Sequence, residues 1–211
     1  MIVYDLSVPV VDGTDWYAEP GCSPVSLRDV GSLDTDGWRS HSLSLMVLNG
    51  TTYLETSAHL LPDGEVLEDL SADRFLTYAH VVNVDSDGRQ LLAPPDPLLQ
   101  FTRGLDSMLI CSGWDRRMHQ EGYYYDSPYF SLALQEWILS HEPAIVGGDM
   151  LSFDDPSDRT MPFLRRYFSQ GGVVVCPLMG LRKLPWERVT LCVAPLKLSG
   201  ANAAPCRVLA W

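Results

Sequence analysis

Hydrophobic and polar positions along this chain form short patterns, most of them typical of strands and two of them typical of helices. Apolar or β-branched runs that end at Gly, Pro, Asp or Ser predict strands, because such side chains suit a buried pleated surface. Strands are predicted over residues 2–6, 41–48, 78–85, 107–112, 143–148, 172–176, 189–195 and 206–210. Helical spacing predicts helices over residues 131–140, with Ser131 as the N-cap, and over residues 161–168.

The order of these elements predicts the fold class. Strands alternate with helices in the second half of the chain, which favours an α/β domain, and the first half adds strands with little helix between them. Residues 9–24 are rich in Gly, Pro and aromatic residues and predict a surface loop. We therefore expect one α/β domain over residues 1–211, built on a mixed sheet or a partly closed barrel with helices on its outside.

Composition narrows the classes of partner. With 46% hydrophobic and 20% charged residues the chain has an ordinary globular composition, so a buried core is expected. The formal net charge of −12 disfavours nucleic acids and anionic membrane surfaces as partners. The five cysteines are scattered without a C-x-x-C pair, and no secretory signal or long apolar span is evident, so we expect a cytoplasmic protein with reduced thiols.

Several short motifs occur in an order that resembles one enzyme family. They are Asp5-Leu6-Ser7 with Pro9, Pro20-Gly21, Ser112-Gly113-Trp114, Gly148-Asp149 with Ser152 and Asp154, and Pro195-Leu196-Lys197-Leu198 followed by Gly200, Pro205 and Arg207. Each motif alone is weak, but their order and spacing resemble the cyclase family, which includes bacterial kynurenine formamidases. The resemblance covers nearly the whole chain. It implies a swivelling β/β/α fold, a homodimer, and metal-dependent hydrolysis of a small amide, lactam or formamide.

The stretch that matches the metal-binding signature of that family departs from it. Asn49 and Tyr53 stand where the family has two metal-binding His, and Glu55 stands where it has an Asp. Cys176 stands where the family has a late Glu, whereas His59 keeps the position of the family's proton-transfer His. An amide oxygen and a neutral phenol are weak ligands for a transition metal. We therefore expect no metal or other cofactor. Zinc or manganese at the family's position remains an open alternative. A further alternative is a zinc ion held by Glu55, His59 and Cys176.

The same stretch supplies candidate site residues. Read as one extended strand with a period of two, it places Asn49, Tyr53, Glu55 and His59 on one face. His59 would then be the acid/base and Glu55 would orient its ring, because His titrates near neutral pH and a carboxylate can hold one ring nitrogen. The candidate catalytic residues are thus His59 and Glu55, and the candidate substrate-binding residues are Asn49, Tyr53, Trp16 and Tyr17.

Three functions remain open at this point. The first is metal-independent cyclisation or dehydration of a small aromatic or polyketide-like molecule, which needs proton transfer but no Lewis acid. The second is the metal-dependent hydrolysis that the resemblance implies. The third is a non-catalytic member of the family that binds a ligand or a partner. The serine-hydrolase reading of Ser112 is disfavoured, because the G-x-S-x-G elbow is missing.

Overall fold

The computed structural model of this chain describes residues 1–16, 21–95, 98 and 100–211. The chain forms two compact units, one made of Pro9–Thr51 and the other of Met1–Val8 with Thr52–Trp211. The strands are β1 Tyr4–Asp5, β2 Ser26–Gly31, β3 Ser40–Ser44, β4 Tyr53–Glu55, β5 Leu76–Asn83, β6 Ser86–Asp87, β7 Gln90–Leu91, β8 Ser107–Cys111, β9 Tyr129–Phe130, β10 Ile145–Gly148, β11 Val173–Cys176, β12 Arg188–Pro195 and β13 Ala203–Ala210. The α-helices are α1 Leu33–Asp36, α2 Leu132–His141 and α3 Pro162–Ser169.

The smaller unit is built on a hairpin of β2 and β3. The two strands pair antiparallel, with Leu27 opposite Leu43. Every residue of β3 is exposed, and the strand ends at Ser44. The predicted strand over 41–48 is therefore wrong in its second half, because the ladder with β2 ends where Ser44 lies opposite Ser26.

The larger unit contains a closed barrel of seven strands. Their order is β13-β12-β5-β8-β10-β11-β4, and β4 pairs again with β13, while β1 pairs with residues 209–210 at the end of β13. β5, β8, β10 and β11 run parallel, whereas β4, β12 and β13 join them antiparallel. Closure between Tyr53–Glu55 and residues 203–205 leaves the seven-stranded ring without an open edge.

The barrel interior is filled by aliphatic side chains. Leu54, Leu109, Val175, Leu191 and Val208 are among the buried residues of this core. The central strands β8, β10 and β11 are buried along their whole length, as expected for parallel strands covered on both faces. Because side chains alternate along a strand, the neighbours of Leu54 on β4 point away from this core.

Local sequence explains the two longer helices. Ser131 caps α2, since its side chain accepts a hydrogen bond from the backbone N–H of Leu134. α3 begins at Pro162, and both carboxylate oxygens of Asp154 accept hydrogen bonds from its first turn, at 2.8 and 3.0 Å from the backbone nitrogens of Phe163 and Leu164. The acidic loop that carries Asp154 thus serves as a helix cap.

The predicted fold class, α/β with a mixed sheet or barrel and outer helices, is confirmed. The second-half elements lie within a few residues of their predicted bounds. The sequence patterns did not define the short β4, which closes the barrel, because residues 53–55 were read as part of a longer extended run from Asn49 to His59. The assignment of residues 1–211 to one domain stays a prediction. No helix of the described residues is long and apolar enough to cross a membrane.

Candidate active site

Two of the predicted site residues lie side by side on β4. Tyr53 and Glu55 are two positions apart on this strand, so they share its outer face, while Leu54 between them is buried in the barrel core. Both side chains are buried, with relative exposures of 4%. Across the antiparallel ladder Tyr53 lies opposite Cys176 and Glu55 lies opposite Val174. The strand pairing therefore brings Cys176 to this face.

Tyr53 and Cys176 form a buried hydrogen bond. The Cys176 thiol donates to the Tyr53 hydroxyl, with 3.3 Å between Sγ and Oη. Burial raises the pKa of Cys176 to about 12, and the neighbouring Glu55 acts in the same direction. The thiol is thus protonated at neutral pH, and it fixes the position of the Tyr53 hydroxyl.

Glu55 and His59 form the second pair. Oε1 of Glu55 lies 3.1 Å from Nδ1 of His59, but the direction of approach does not make a hydrogen bond there. Burial of the carboxyl group raises the pKa of Glu55 to about 8. Burial also lowers the pKa of His59, and the positive charge of Arg165 adds to this effect. Because burial disfavours both charged forms, the pair is mostly neutral at pH 7.

The backbone carries His59 to Glu55 by a route that the sequence pattern did not predict. β4 ends at Glu55, and Ser57–His59 forms a 3-10 turn. Asn49 lies in a bend after β3. The expectation of one extended strand from Asn49 to His59 is therefore wrong, and alternation holds only from Tyr53 to Glu55. The 3-10 turn is why the two side chains meet.

The remaining predicted residues lie in the smaller unit or outside the described residues. Oδ1 of Asn49 accepts from the backbone N–H of Trp16 at 2.7 Å. Its Nδ2 donates to Oδ1 of Asp15 at 2.9 Å and to the carbonyl of Ser23 at 3.3 Å. Since the amide hydrogens of Asn49 serve this loop, its donation to a substrate would compete with these bonds. The roles of Asn49 and Trp16 stay predictions, and Tyr17, like Pro20 of the early motif, lies outside the described residues.

Asp149, which follows β10, holds the turn that follows β8. Its two carboxylate oxygens accept from the backbone N–H groups of Ser112 and Gly113, at 3.0 and 2.6 Å, and from the Ser112 hydroxyl at 2.5 Å. Asp149 is fully buried. The Ser112-Gly113-Trp114 motif thus owes its shape to Asp149.

A comparison of the sequence with protein-family models shows which family the chain belongs to. The family model described as "Putative cyclase" matches residues 4–155, which is most of the chain. This chain belongs to the cyclase family. Membership assigns it to a group of cyclase- and hydrolase-type enzymes. No curated protein matches the sequence.

Solved structures share the fold of this cyclase-family protein. A potential metal-dependent hydrolase with cyclase activity is 20% identical, with a TM-score of 0.78 over 99% of this chain and 96% of the other. Isatin hydrolase A from Ralstonia solanacearum is 18% identical, with a TM-score of 0.82 over 99% and 91%. An isatin hydrolase bound to the product analogue thioisatinate is also 18% identical, with a TM-score of 0.79 over 99% and 91%.

The side chains of this cyclase-family protein do not fit the metal that the resemblance implies. Within the described residues, no three His, Cys, Asp or Glu side chains are grouped so that they could hold a metal ion. Tyr53 stands at the position of a metal-binding His in the family, and Cys176 stands at the position of the late Glu; the two bond to each other as a phenol and a protonated thiol. To bind zinc or manganese, both would have to give up a proton and the hydrogen bond between them.

Two residues near the site were missed by sequence reasoning. Asn202, which precedes β13, approaches His59 with its side-chain amide. The Tyr123 ring is buried and stacks on Trp114, with 6.4 Å between the ring centres. Burial, and then the neighbouring Cys176 and Asp149, raise the pKa of Tyr123. The run of three tyrosines at 123–125 was a signal for Tyr123, whereas nothing in the sequence pointed to Asn202.

Proposed function

We propose that this cyclase-family protein transforms a small aromatic or polyketide-like molecule by metal-independent acid/base chemistry, in which His59 carries the proton. The observation that carries the proposal is the pair of Glu55 and His59. The carboxyl group is buried against Nδ1, while the imidazole side chain keeps 26% of its surface exposed. A ring that is held on one side and reachable on the other can exchange a proton with a bound molecule.

The charge state of His59 suits this role. Burial and Arg165 lower the pKa of His59, so the ring is neutral at pH 7 and can accept a proton. In a cyclisation, His59 takes a proton from the carbon beside a substrate carbonyl. The enolate carbon then attacks a second carbonyl of the same molecule, and His59 returns the proton to the new alkoxide.

Tyr53 supports the developing charge in this scheme. Its hydroxyl oxygen accepts the thiol proton of Cys176, and a phenol has one proton of its own to donate. A hydrogen bond from Tyr53 to the enolate oxygen is worth more in the transition state than in the ground state. Cys176 would act only by fixing the position of the phenol.

The choice of an aromatic substrate is supported by the acid/base chemistry proposed above and by the solved structures that share this fold. Isatin hydrolases are among the structures with this fold, and one of them is bound to the product analogue thioisatinate; isatin and thioisatinate are both aromatic molecules. The same neighbours favour a second candidate, which is the opening of a lactam or another small amide with the help of a metal. The donor set around Tyr53 and Cys176 counts against this candidate.

One experiment separates the candidates. The purified protein is tested against aromatic 1,3-diketones and poly-β-ketone thioester analogues for cyclisation, and against isatin and aryl formamides for hydrolysis. Each assay is run with EDTA and with added zinc or manganese. We expect cyclisation that is unaffected by EDTA and that falls by about 10²–10⁴-fold in His59→Gln. His119→Gln, a change at an exposed histidine, is the matched control.

Three outcomes would contradict the proposal. Hydrolysis that EDTA abolishes would favour the metal-dependent candidate. Full turnover by His59→Gln would remove His59 from the mechanism. Tight binding of a tested molecule without any turnover would favour the non-catalytic reading of this family member.

A further inference from the structure

Asn202 is tied by its backbone to the end of the strand that carries the site. Its carbonyl oxygen accepts two hydrogen bonds from Thr56, at 2.8 Å from the backbone nitrogen and 3.0 Å from the side-chain hydroxyl. Thr56 is fully buried and directly follows Glu55. A substitution of the Asn202 side chain leaves both of these bonds in place, so the backbone at this point does not depend on the amide.

The Asn202 side chain and Glu55 approach the same ring atom. Nδ2 of Asn202 lies 3.2 Å from Nδ1 of His59, and Oε1 of Glu55 lies 3.1 Å from it. An imidazole nitrogen has a single in-plane position, which holds either a hydrogen or a lone pair. Only one of the two neighbours can use it at a time, and the direction of approach favours Asn202.

The two neighbours demand opposite forms of the ring. The Nδ2 group of an amide can only donate, so its bond needs a bare Nδ1, which puts the proton of the neutral ring on Nε2. An ionised carboxylate can only accept, so its bond needs a proton on Nδ1 and leaves Nε2 bare. A bare Nε2 is the form that can take a proton from a substrate.

We propose that Asn202 is a positioning residue which competes with Glu55 for Nδ1 of His59 and thereby sets which ring nitrogen carries the proton. With Asn202 bound, the ring rests with its proton on Nε2. With Glu55 bound, Nε2 becomes the base. The catalytic meaning of this competition rests on the proposed function, but the competition itself does not.

Among the described residues, α3 and β11 carry the other groups that act on this ring or on Glu55. On α3, Arg165 acts on His59, and its Nη1 donates to the carbonyl of Leu60 at 2.7 Å. On β11, Cys176 is a neighbour of Glu55 and stays protonated. Burial raises the pKa of Glu55 to about 8, so the balance should move from Asn202 to Glu55 as the pH rises towards that value. Arg165 opposes protonation of the ring in both arrangements.

The test measures directly which nitrogen of the His59 ring carries the proton. The ¹⁵N NMR shifts of bare and protonated imidazole nitrogens differ widely, and His59→Gln identifies which signals belong to His59. In the unsubstituted protein at pH 6.5–7 we expect the proton on Nε2. Above the pKa of Glu55, at about pH 9, the carboxylate can only accept a hydrogen bond. At that pH we expect Asn202→Leu, which removes the donor, to move the tautomer ratio towards Nδ1 by about three- to tenfold relative to the unsubstituted protein, the worth of one net hydrogen bond.

Two further variants keep the result interpretable. Asn83→Leu, at an exposed asparagine on β5, is the matched control and should leave the His59 signals unchanged. If Asn202→Leu does not fold, Asn202→Asp serves in its place. Its carboxylate can only accept from Nδ1, so it should move the proton the same way and raise the midpoint of His59 titration by about one pH unit.

The outcomes separate this inference from the proposed function. An unchanged tautomer in Asn202→Leu, or a proton already on Nδ1 in the unsubstituted protein, would overturn the competition. Once a substrate is identified, kcat/KM of Asn202→Leu at about pH 9, where Glu55 is ionised, should rise by the same three- to tenfold factor. A merely structural role would instead lower it, and an equal or lower value contradicts the proposal. Failure of His59→Gln to reduce turnover would defeat the proposed function while leaving the tautomer result intact.

Discussion

Glu55 is buried, and its burial raises the pKa of its carboxyl group. Glu55 was a candidate from its place four residues before His59 in the sequence, and the structure brings its carboxyl oxygen within 3.1 Å of Nδ1 of His59. The change in its acidity was not predictable, because it comes from burial on a closed barrel rather than from any neighbour in the sequence. Sequence shows which groups are present, whereas their charge depends on how much water the fold leaves around them.

The acidity of Glu55 predicts a pH-dependent stability. Its pKa rises from 4.5 to about 8 on folding, so the folded protein binds a proton that the unfolded chain has released. The free energy of unfolding should therefore fall as the pH rises from about 4.5 to 8, by at most about 1.4 kcal/mol per pH unit. His59 acts in the opposite direction below pH 6.5, so denaturant titrations between pH 6.5 and 8 isolate Glu55.

Glu55→Gln provides the matched test, since it keeps the shape of the side chain without the titration. We expect its unfolding free energy to be nearly flat between pH 6.5 and 8, the window in which Glu55 loses its proton. An equal slope in both proteins would mean that Glu55 is already ionised in the folded state at neutral pH.

Tyr53→Phe removes the acceptor of a buried thiol. The Cys176 thiol then loses its partner, and we expect a loss of about 0.5–1.5 kcal/mol in the free energy of unfolding, the usual net worth of a hydrogen bond. Urea denaturation measures the change. Tyr78→Phe, at a half-exposed tyrosine, should cost much less, and equal losses in the two variants would show that the bond to Cys176 adds nothing.

At the scale of elements, the site depends on two pieces that are too short for patterns to reveal. β4 has three residues, and the turn that carries His59 also has three. The helices and the parallel strands of the second half were predictable, because their apolar runs and caps are long enough to stand out, as with Ser131 at the start of α2. A three-residue strand is instead selected by the partners that it meets across the barrel.

The cap of α3 gives an element-scale prediction. Asp154 accepts two hydrogen bonds from the first turn of this helix, and α3 carries the Arg165 that faces His59. We expect Asp154→Ala to lower the free energy of unfolding by about 1–2 kcal/mol, as for the loss of a good N-cap. Thermal or urea denaturation checks this value. Asp87→Ala, at an exposed residue of β6, is the control, and a cost as small as that of the control would contradict the cap.

At the scale of the whole molecule, the closure of the barrel was beyond the sequence. The patterns predict a mixed sheet or partly closed barrel, and the structure closes it through a pairing between residues 53–55 and 203–205. Nothing local encodes a contact between positions so far apart, and its entropy cost is recovered only when the rest of the core has formed. The alternation of side chains along β13 is consistent with this pairing, but it does not identify β4 as the partner strand.

Association of two copies remains an expectation from the family resemblance. We expect light scattering coupled to gel filtration to give about twice the monomer mass of 23.5 kDa. A mass that stays at the monomer value across a hundredfold range of concentration would remove the homodimer. The measurement is independent of substrate and metal, so it can be made before the activity is known.

The late pairing of β13 with β4 has a consequence for biosynthesis. Glu55 leaves the ribosome long before its ladder partner Ala203, because 148 residues separate them (203 minus 55). At typical elongation rates of about 5–20 residues per second, the edge of β4 waits on the order of ten seconds for that partner. During that interval the strand that bears Tyr53 and Glu55 is open to association with other nascent chains. Slow codons between the two segments would therefore lower the yield of folded protein, and chaperones that bind unpaired strands would restore it.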